Sequence, residues 1–600
     1  MIGLLPASRR PFATQVFTRR RIAIHISVAL FFIAAGTFAV APSSAQSPPR
    51  KILTGWIPYY SMKTSLPSAI ANGDLIKEVM PFWFTLKSET KILDLYTPAN
   101  PSTPMSVPLA AMRDSGFLVI PTITDGTAKL VLAKLIADPK MRTKIVSTIT
   151  NFVLTNNFDG IDLDFEGFAF SDGISSWPAT RVNWVAFISE LSLSLHSFDK
   201  LLSVTTPVLF NPSSGKRGYY VYDWASISPM IDRLRIMTYD YSTSSPGPIG
   251  PTSWADLAIQ YAISVIPASK VYVGIAGYGR DWVTKVVGVC PSNVASAVST
   301  SSRAATFLMK DAANLAASYG AIPVYSTAHG EVTFSYTKVY SGTASSGLAT
   351  TCTASRTAWY QDARGYAARA QLVVKYHLGG ITAWTLGMED PTATAAVRLV
   401  AQSIAPDAVV SELSSDISTA MYGDPVLITG RLLLPDKTPV VGVTVHVLLL
   451  PTGETEWREV LQTVTGSDGT ISVPILLAKT SALRITTEAT WERLASQSAD
   501  LPIAIERLLS IWSPTSVLAG SPIAISGTIQ PHEAGVAVSL ERLIAGRWRT
   551  IGKPTLTLED GTFAFTIIEN ARGIAQYRVK VAGNPNVDGA TSSIFSVVIY

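Results

Sequence analysis

Cysteine, histidine and charge are all scarce in this chain. Its 600 residues include two Cys and six His, and the histidines nowhere cluster. That leaves no zinc-ligand spacing. With no glycine-rich phosphate loop either, no metal and no cofactor is expected. Charged residues make up only 15% against 47% hydrophobic, which suits globular domains and argues against disorder. The formal net charge of +5 is misleading. Residues 1–45 hold Arg9, Arg10, Arg19, Arg20 and Arg21 and no acid. Those five equal the whole excess, so the remainder is formally neutral and exerts no net pull on nucleic acid or an anionic membrane.

Long apolar runs are also lacking, with one exception. Arg19–Arg21 precedes a run of about 19 residues from Ile22 to Val40, followed by Ala-Pro-Ser-Ser-Ala. This reads as a signal peptide, residues 1–45, cleaved after Ala45. The alternative is an uncleaved anchor, since the run is long enough to span. Arg9-Arg10 and Arg19-Arg20 invite a twin-arginine reading, but the residues after each pair fit it poorly. A secreted or wall-associated protein is expected. Cys290 and Cys352 would then meet an oxidising compartment, where one disulfide joining them is expected, with two free thiols as the alternative.

Six hundred residues are too many for one core. Between Lys51 and about Val400, eight apolar runs recur: Ile52–Tyr60, Val79–Leu86, Phe117–Thr124, Gly160–Phe165, Leu202–Val208, Leu234–Tyr241, Val271–Tyr278 and Gly380–Leu386. Most gaps carry helical periodicity, as in Val182–Leu195 and Ala367–Tyr376. Eight such units predict an α/β fold, a (β/α)8 TIM barrel over residues 46–405, with a doubly wound sheet as the alternative. The gap from Asp281 to Tyr376 is too long for one helix. It predicts a small α+β insertion at about 283–360, with short strands at Ile322–Tyr325, Val332–Tyr336 and Lys338–Tyr340. After residue 405 the chain turns to short alternating strands, and a repeat emerges. Pro425, Gly430, Val445, Trp457 and Asp468-Gly469 recur as Pro522, Gly527, Val538, Trp548 and Asp560-Gly561. Two all-β immunoglobulin-like sandwich domains, 406–505 and 506–600, fit this pattern. They are either wall anchors or spacers.

The most informative run is Phe158-Asp-Gly-Ile-Asp-Leu-Asp-Phe-Glu-Gly-Phe168. Asp162, Asp164 and Glu166 alternate with Ile161, Leu163 and Phe165. A strand sends alternate side chains to opposite faces, so the three carboxyls share one face at a spacing of roughly 6–7 Å. Like charges so placed repel, and at least one carboxyl should have a raised pKa. An acid held protonated near neutral pH can protonate a leaving group. In a barrel the C-terminal strand ends form the site. Those of the later strands carry Met237-Thr238-Tyr239-Asp240, Gly277-Tyr278-Gly279-Arg280 and Trp384-Thr385-Leu386-Gly387. Together they offer an acid, anionic orienters, a phenol and an aromatic floor.

These motifs resemble the family 18 glycoside hydrolases, the fold of many chitinases. The matching residues are Asp159-Gly160-x-Asp162-x-Asp164-x-Glu166, Met237-x-Tyr239-Asp240, Tyr278-Gly279-Arg280 and Trp384. The resemblance implies that Glu166 is the general acid/base, that Asp164 orients and polarises a 2-acetamido group, and that Asp162 modulates Asp164. It further implies that Tyr239 hydrogen-bonds the acetamido carbonyl and that Trp384 underlies the sugar at the cleavage point. Met237, Asp240, Tyr278 and Arg280 are expected to contact substrate. The mechanism it implies is substrate-assisted and retaining, with no carboxylate nucleophile. Many chitinases of the family follow the acid with Tyr-Pro, and this chain has Gly167-Phe168. Gly55-Trp56-Ile57-Pro58-Tyr59-Tyr60, Pro246–Pro248, Gly277–Trp282 and Trp359–Arg364 look like the bacterial spore-cortex-lytic and peptidoglycan-directed branch. Gln361 there departs from an acidic position of that pattern. The expected partner is an N-acetylated polysaccharide, peptidoglycan ahead of chitin, acted on by a monomer. A sugar-binding lectin on the same barrel, or a wall adhesin, are the non-enzymatic alternatives.

Overall fold

A computed structural model describes residues 48–600, so the signal segment 1–45 lies outside the described residues. The eight runs become parallel strands. They are Leu53–Pro58, a split second strand, a split third strand, Gly160–Asp164, Leu201–Pro207, Arg233–Met237, Val271–Ala276 and Gly380–Trp384. The second strand consists of Ile76–Phe82 and Phe84–Ser88, and the third of Leu118–Val119 and Thr122–Asp125. The third breaks at Ile120-Pro121, where Pro121 has no N–H to give to a ladder. Both halves of the second strand pair with the third, Glu78 opposite Leu118 and Phe84 opposite Ile123. The first strand pairs with the second and the eighth. The sheet therefore curls back on itself into a TIM-barrel-like fold, and the doubly wound alternative falls away.

The outward face of the strands is apolar because helices cover it. Ile161, Leu163 and Phe165 are buried there, Phe165 stacking on Phe187 of the helix Trp177–His196 at 6.2 Å. The barrel interior is partly polar. Thr54, Glu78, Thr122, Asp162, Ser203, Thr205 and Arg235 are all buried in it.

The insertion departs from expectation in where it begins and in how its strands divide. The seventh barrel strand ends at Ala276, and Tyr278–Gly288 is a new strand that belongs to the insertion. The insertion thus begins at Tyr278, ahead of the expected 283. No turn signal separates the two strands, so the apolar pattern runs on across Gly277. The expected pieces Val332–Tyr336 and Lys338–Tyr340 are one strand, Glu331–Thr343, because Thr337 between them stays in register opposite Ser355. The antiparallel sheet runs Ala305–Leu308, Tyr278–Gly288, Ala349–Tyr360, Glu331–Thr343, Val324–Ser326, with the helix Ala312–Ser318 beside it. Cys290 and Cys352 are disulfide-bonded, with Cα atoms 4.7 Å apart.

The tail contains two all-β halves, each with two sheets. In the first, Val410–Ser415, Pro425–Leu433 and Thr470–Leu476 form one sheet, and Thr444–Pro451, Arg458–Val464, Ser481–Thr487 and Leu501–Glu506 lie in the other. In the second half, the strands Pro522–Gln530 and Ala537–Ile544 take the places of Pro425–Leu433 and Thr444–Pro451. Each half buries its own apolar core, Ile428, Val447 and Ile485 in one, Ile525, Leu540 and Tyr577 in the other. Trp491 of the tail stacks on His377 at 4.3 Å and lies 4.0 Å beneath Arg50, both at the N-terminal face of the barrel. Among the described residues, no helix is long and apolar enough to cross a membrane.

Candidate active site

The fourth strand, Gly160–Asp164, aims Asp162 and Asp164 into the barrel. Asp162 is fully buried and heavily donated to. Ser203 Oγ lies 2.6 Å away, Thr122 Oγ1 2.8 Å, and Thr205 Oγ1 3.0 and 3.1 Å from its two oxygens. The Arg235 guanidinium stands 3.8 Å from it and is shared with Glu78 at 2.7 Å.

Asp164, one pleat further, has the opposite surroundings. It is 5% exposed, and its Oδ1 has no hydrogen-bond partner among the described residues. Burial, then the neighbouring charges of Glu166 and Asp162, push its pKa well above the usual carboxylate range. A buried polar atom without a partner costs about 1–3 kcal/mol, so Asp164 is poised for a donor from outside the protein.

Glu166 lies beyond the strand end, in helical backbone at the start of the short helix Gly167–Phe170. The alternation argument thus covers Asp162 and Asp164, while Glu166 reaches the same cleft from the turn that follows. Its side chain is open to solvent by area, yet the cleft walls withhold enough water to raise its pKa. Asp240 adds a like charge in the same direction.

The sixth strand stops at Met237, so Tyr239 and Asp240 belong to the loop that follows. Thr238 Oγ1 ties that loop to the Gly274 carbonyl at 2.6 Å. Tyr239 lines the cleft with its hydroxyl free of protein partners among the described residues. Burial first, then Tyr278, Asp164, Glu166 and Asp240, raise its pKa well above the ordinary phenol value, which keeps it a neutral donor. Asp240 sits at φ 60°, accepts a short hydrogen bond from Tyr278 Oη, and pairs with Arg280 Nη2 at 2.6 Å. Trp384 faces the cleft, held edge-on by Trp56 at 5.6 Å and Phe82 at 4.9 Å.

These residues enclose a cleft of about 650 Å³. Asp164, Glu166, Met237, Tyr239, Asp240, Tyr278 and Trp384 line it together. Asp162 and Arg280 do not line it: Asp162 is fully buried one pleat before Asp164, and Arg280 is paired with Asp240. Sequence reasoning gave no cleft role to Trp56, Phe170, Tyr219, Trp254 or Arg303, which also line it. Trp56 had a signal, standing at the end of the first strand within Gly55–Tyr60. Arg303 had none, because the insertion delivers it. Gln361 lies away from the cleft and fully buried. It donates to Glu331 Oε1 at 3.2 Å and accepts from the Ala276 N–H at 3.3 Å. Glu331 also accepts from Ile249 N, Gly250 N and Arg369, fastening the far end of the loop that begins at Asp240. Among the described residues, no group of His, Cys, Asp and Glu could hold a metal.

Residues 87–389 match the family "Glycosyl hydrolases family 18". The chain is 24% identical over 380 residues to YdhD of Bacillus subtilis, named as a sporulation-specific glycosylase, covering 62% of this chain and 82% of that one. It is 24% identical over 262 residues to the cortical fragment-lytic enzyme of the same organism, covering 43% and 53%. Among solved structures, a chitinase from Chromobacterium violaceum is similar at 23% identity and TM-score 0.47, covering 58% of this chain and 98% of that one. The spore cortex-lytic enzyme SleL of Bacillus megaterium is similar at 18% identity and TM-score 0.46, covering 58% and 74%. With the family match spanning half the chain and its carboxylates gathered in one cleft, the protein belongs to the glycosyl hydrolases of family 18 and is a glycosidase.

Proposed function

We propose that the protein is a secreted enzyme that hydrolyses β-1,4 bonds in N-acetylglucosamine-containing glycans, peptidoglycan foremost, by a substrate-assisted, retaining mechanism. The observation that carries this reading is the buried, unpartnered Asp164 Oδ1 between Asp162 and Glu166. A carboxyl whose pKa is raised by burial and like charge is a poor nucleophile. It is a good partner for an acetamido N–H, and the Tyr239 hydroxyl is a good donor to the acetamido carbonyl. Glu166 protonates the glycosidic oxygen while the acetamido oxygen attacks the anomeric carbon, giving an oxazolinium ion. Glu166, now a carboxylate, takes a proton from the water that reopens it. The neighbouring charges of Glu166 and Asp162, after burial, favour the protonated form of Asp164 until the acetamido group arrives.

The names of the relatives support peptidoglycan, since two of the matched proteins are named for sporulation or cortical fragments. Chitin oligomers are the second reading, favoured by the aromatic wall of Trp56, Trp254 and Trp384. Secretion is supported by the signal-like residues 1–45 and by the Cys290–Cys352 bond. We assign the tail to two immunoglobulin-like domains meeting near Arg507, with a wall-anchoring role, on a monomeric chain. Mass spectrometry after separate digestion of peptidoglycan and chitin oligomers tests the substrate. Muropeptide-type products cut beside an N-acetylated sugar are expected. Equal cleavage of N-acetylated and N-deacetylated oligomers would rule the mechanism out.

A further inference from the structure

Arg303 is the only cation among the described residues that line the cleft. The insertion supplies it, from the segment just before the strand Ala305–Leu308. That segment is braced by its own bonds: Ser302 N donates to Ser299 O at 3.0 Å, and Ser302 Oγ donates to Ser296 O at 2.8 Å. Ala304, the next residue, packs against the Tyr278–Trp282 cluster at the cleft wall. Other cations close to the site already have partners, Arg280 with Asp240 and Arg235 with Glu78. Arg303 has no carboxylate within ion-pair reach and no hydrogen-bond acceptor among the described residues. A neutral N-acetylglucosamine chain offers this guanidinium no counter-charge.

We propose that Arg303 is a specificity-determining residue that recognises a carboxylate on the 3-O-lactyl arm of a muramyl sugar, either the lactyl acid itself or an acid of the attached peptide. The guanidinium presents a planar fork that matches a carboxylate. A muramyl residue differs from N-acetylglucosamine in carrying that arm, so a cation at the cleft wall separates the two polymers. The inference rests on the peptidoglycan reading and adds to it the group that makes the distinction.

The test compares kcat/KM of the full chain and its Arg303→Ala and Arg303→Lys variants on three substrates of matched length: N-acetylglucosamine oligomers, glycan strands stripped of peptide, and strands that keep their peptides. The ratio of charged to neutral substrate should fall about 10- to 100-fold in Arg303→Ala, the worth of one charge-assisted hydrogen bond. Arg303→Lys should restore part of it. A fall on stripped strands assigns the lactyl acid, and a fall on peptide-bearing strands alone assigns a peptide carboxylate. Methyl esterification of the substrate acids should reproduce the loss with the unaltered enzyme, which keeps the test valid if a variant folds poorly. An unchanged ratio in an enzyme that cleaves both polymers overturns the role of Arg303 alone. An enzyme that cleaves only the neutral oligomers overturns the peptidoglycan reading as well.

Discussion

Replacing Glu331 by Ala should damage stability and activity together. Its Oε2 accepts from Ile249 N at 2.6 Å, and its Oε1 accepts from Gly250 N at 2.7 Å, Arg369 Nη2 at 3.0 Å and Gln361 Nε2 at 3.2 Å. Glu331, Gln361 and Arg369 are all fully buried. Truncation leaves the Arg369 guanidinium in the interior with carbonyl acceptors but no counter-charge, and its Nε is already without a partner. Breaking a buried ion pair from one side costs about 3–5 kcal/mol. For a folding unit of about 350 residues, unfolding entropy near 2.1 cal/mol/K per residue converts this to a fall in Tm of roughly 4–7 °C. The same change frees Ile249, whose carbonyl accepts from Tyr241 N at 2.8 Å. The loop that starts at Asp240 loosens, and kcat/KM should drop as well. Thermal unfolding followed by circular dichroism, with oligomer kinetics in parallel, measures both effects. The double variant Glu331→Leu, Arg369→Met removes both charges and should recover most of the lost stability, because an apolar pair carries no desolvation penalty. A single-variant Tm shift under about 1 °C, or a double variant no better than the single, would refute the reasoning.

Glu166→Gln should keep the fold, the amide being isosteric, and lower kcat by about 10²–10⁴-fold; turnover near that of the parent would sink the acid assignment. Asp240→Asn should move the basic limb of the kcat/KM–pH profile downward. Glu166 must be protonated to act, its pKa is raised by burial and by Asp240, and the substitution removes that like charge while leaving Arg280 uncompensated. An upward or absent shift would contradict this account. A chain ending near residue 405 should stay within about threefold of the full chain on soluble oligomers. The tail meets the barrel through Trp491 at the face opposite the cleft. That chain should also lose binding to intact cell walls, and retained wall binding would make the tail a spacer.

What the sequence determined by itself was whatever repeats over short intervals. Ile161, Leu163 and Phe165 against Asp162 and Asp164 is a period of two, and a strand covered by helices on one side and a polar barrel interior on the other must place those two sets apart. The eight apolar runs and the repeat from Pro425 to Pro522 are legible for the same reason, because burial acts on each segment separately. Even here the strand ends were blurred. Nothing in the run Val271–Tyr278 marks where the barrel strand stops, since the first strand and the start of the next are both buried.

Only the tertiary structure decided which distant groups meet. Arg235 reaches Glu78 across 157 positions because the sheet curls back on itself, and that pairing sets the surroundings of Asp162. Glu331, Gln361 and Arg369 converge under the loop after Asp240 because the insertion folds down beside the barrel, and Gln361 alone showed no such role. Arg303 enters the cleft by the same route. Each is a polar side chain whose local sequence is unremarked by any period. For the buried groups among them the partner is fixed by closure of the chain, and the low dielectric of the interior makes that partner obligatory.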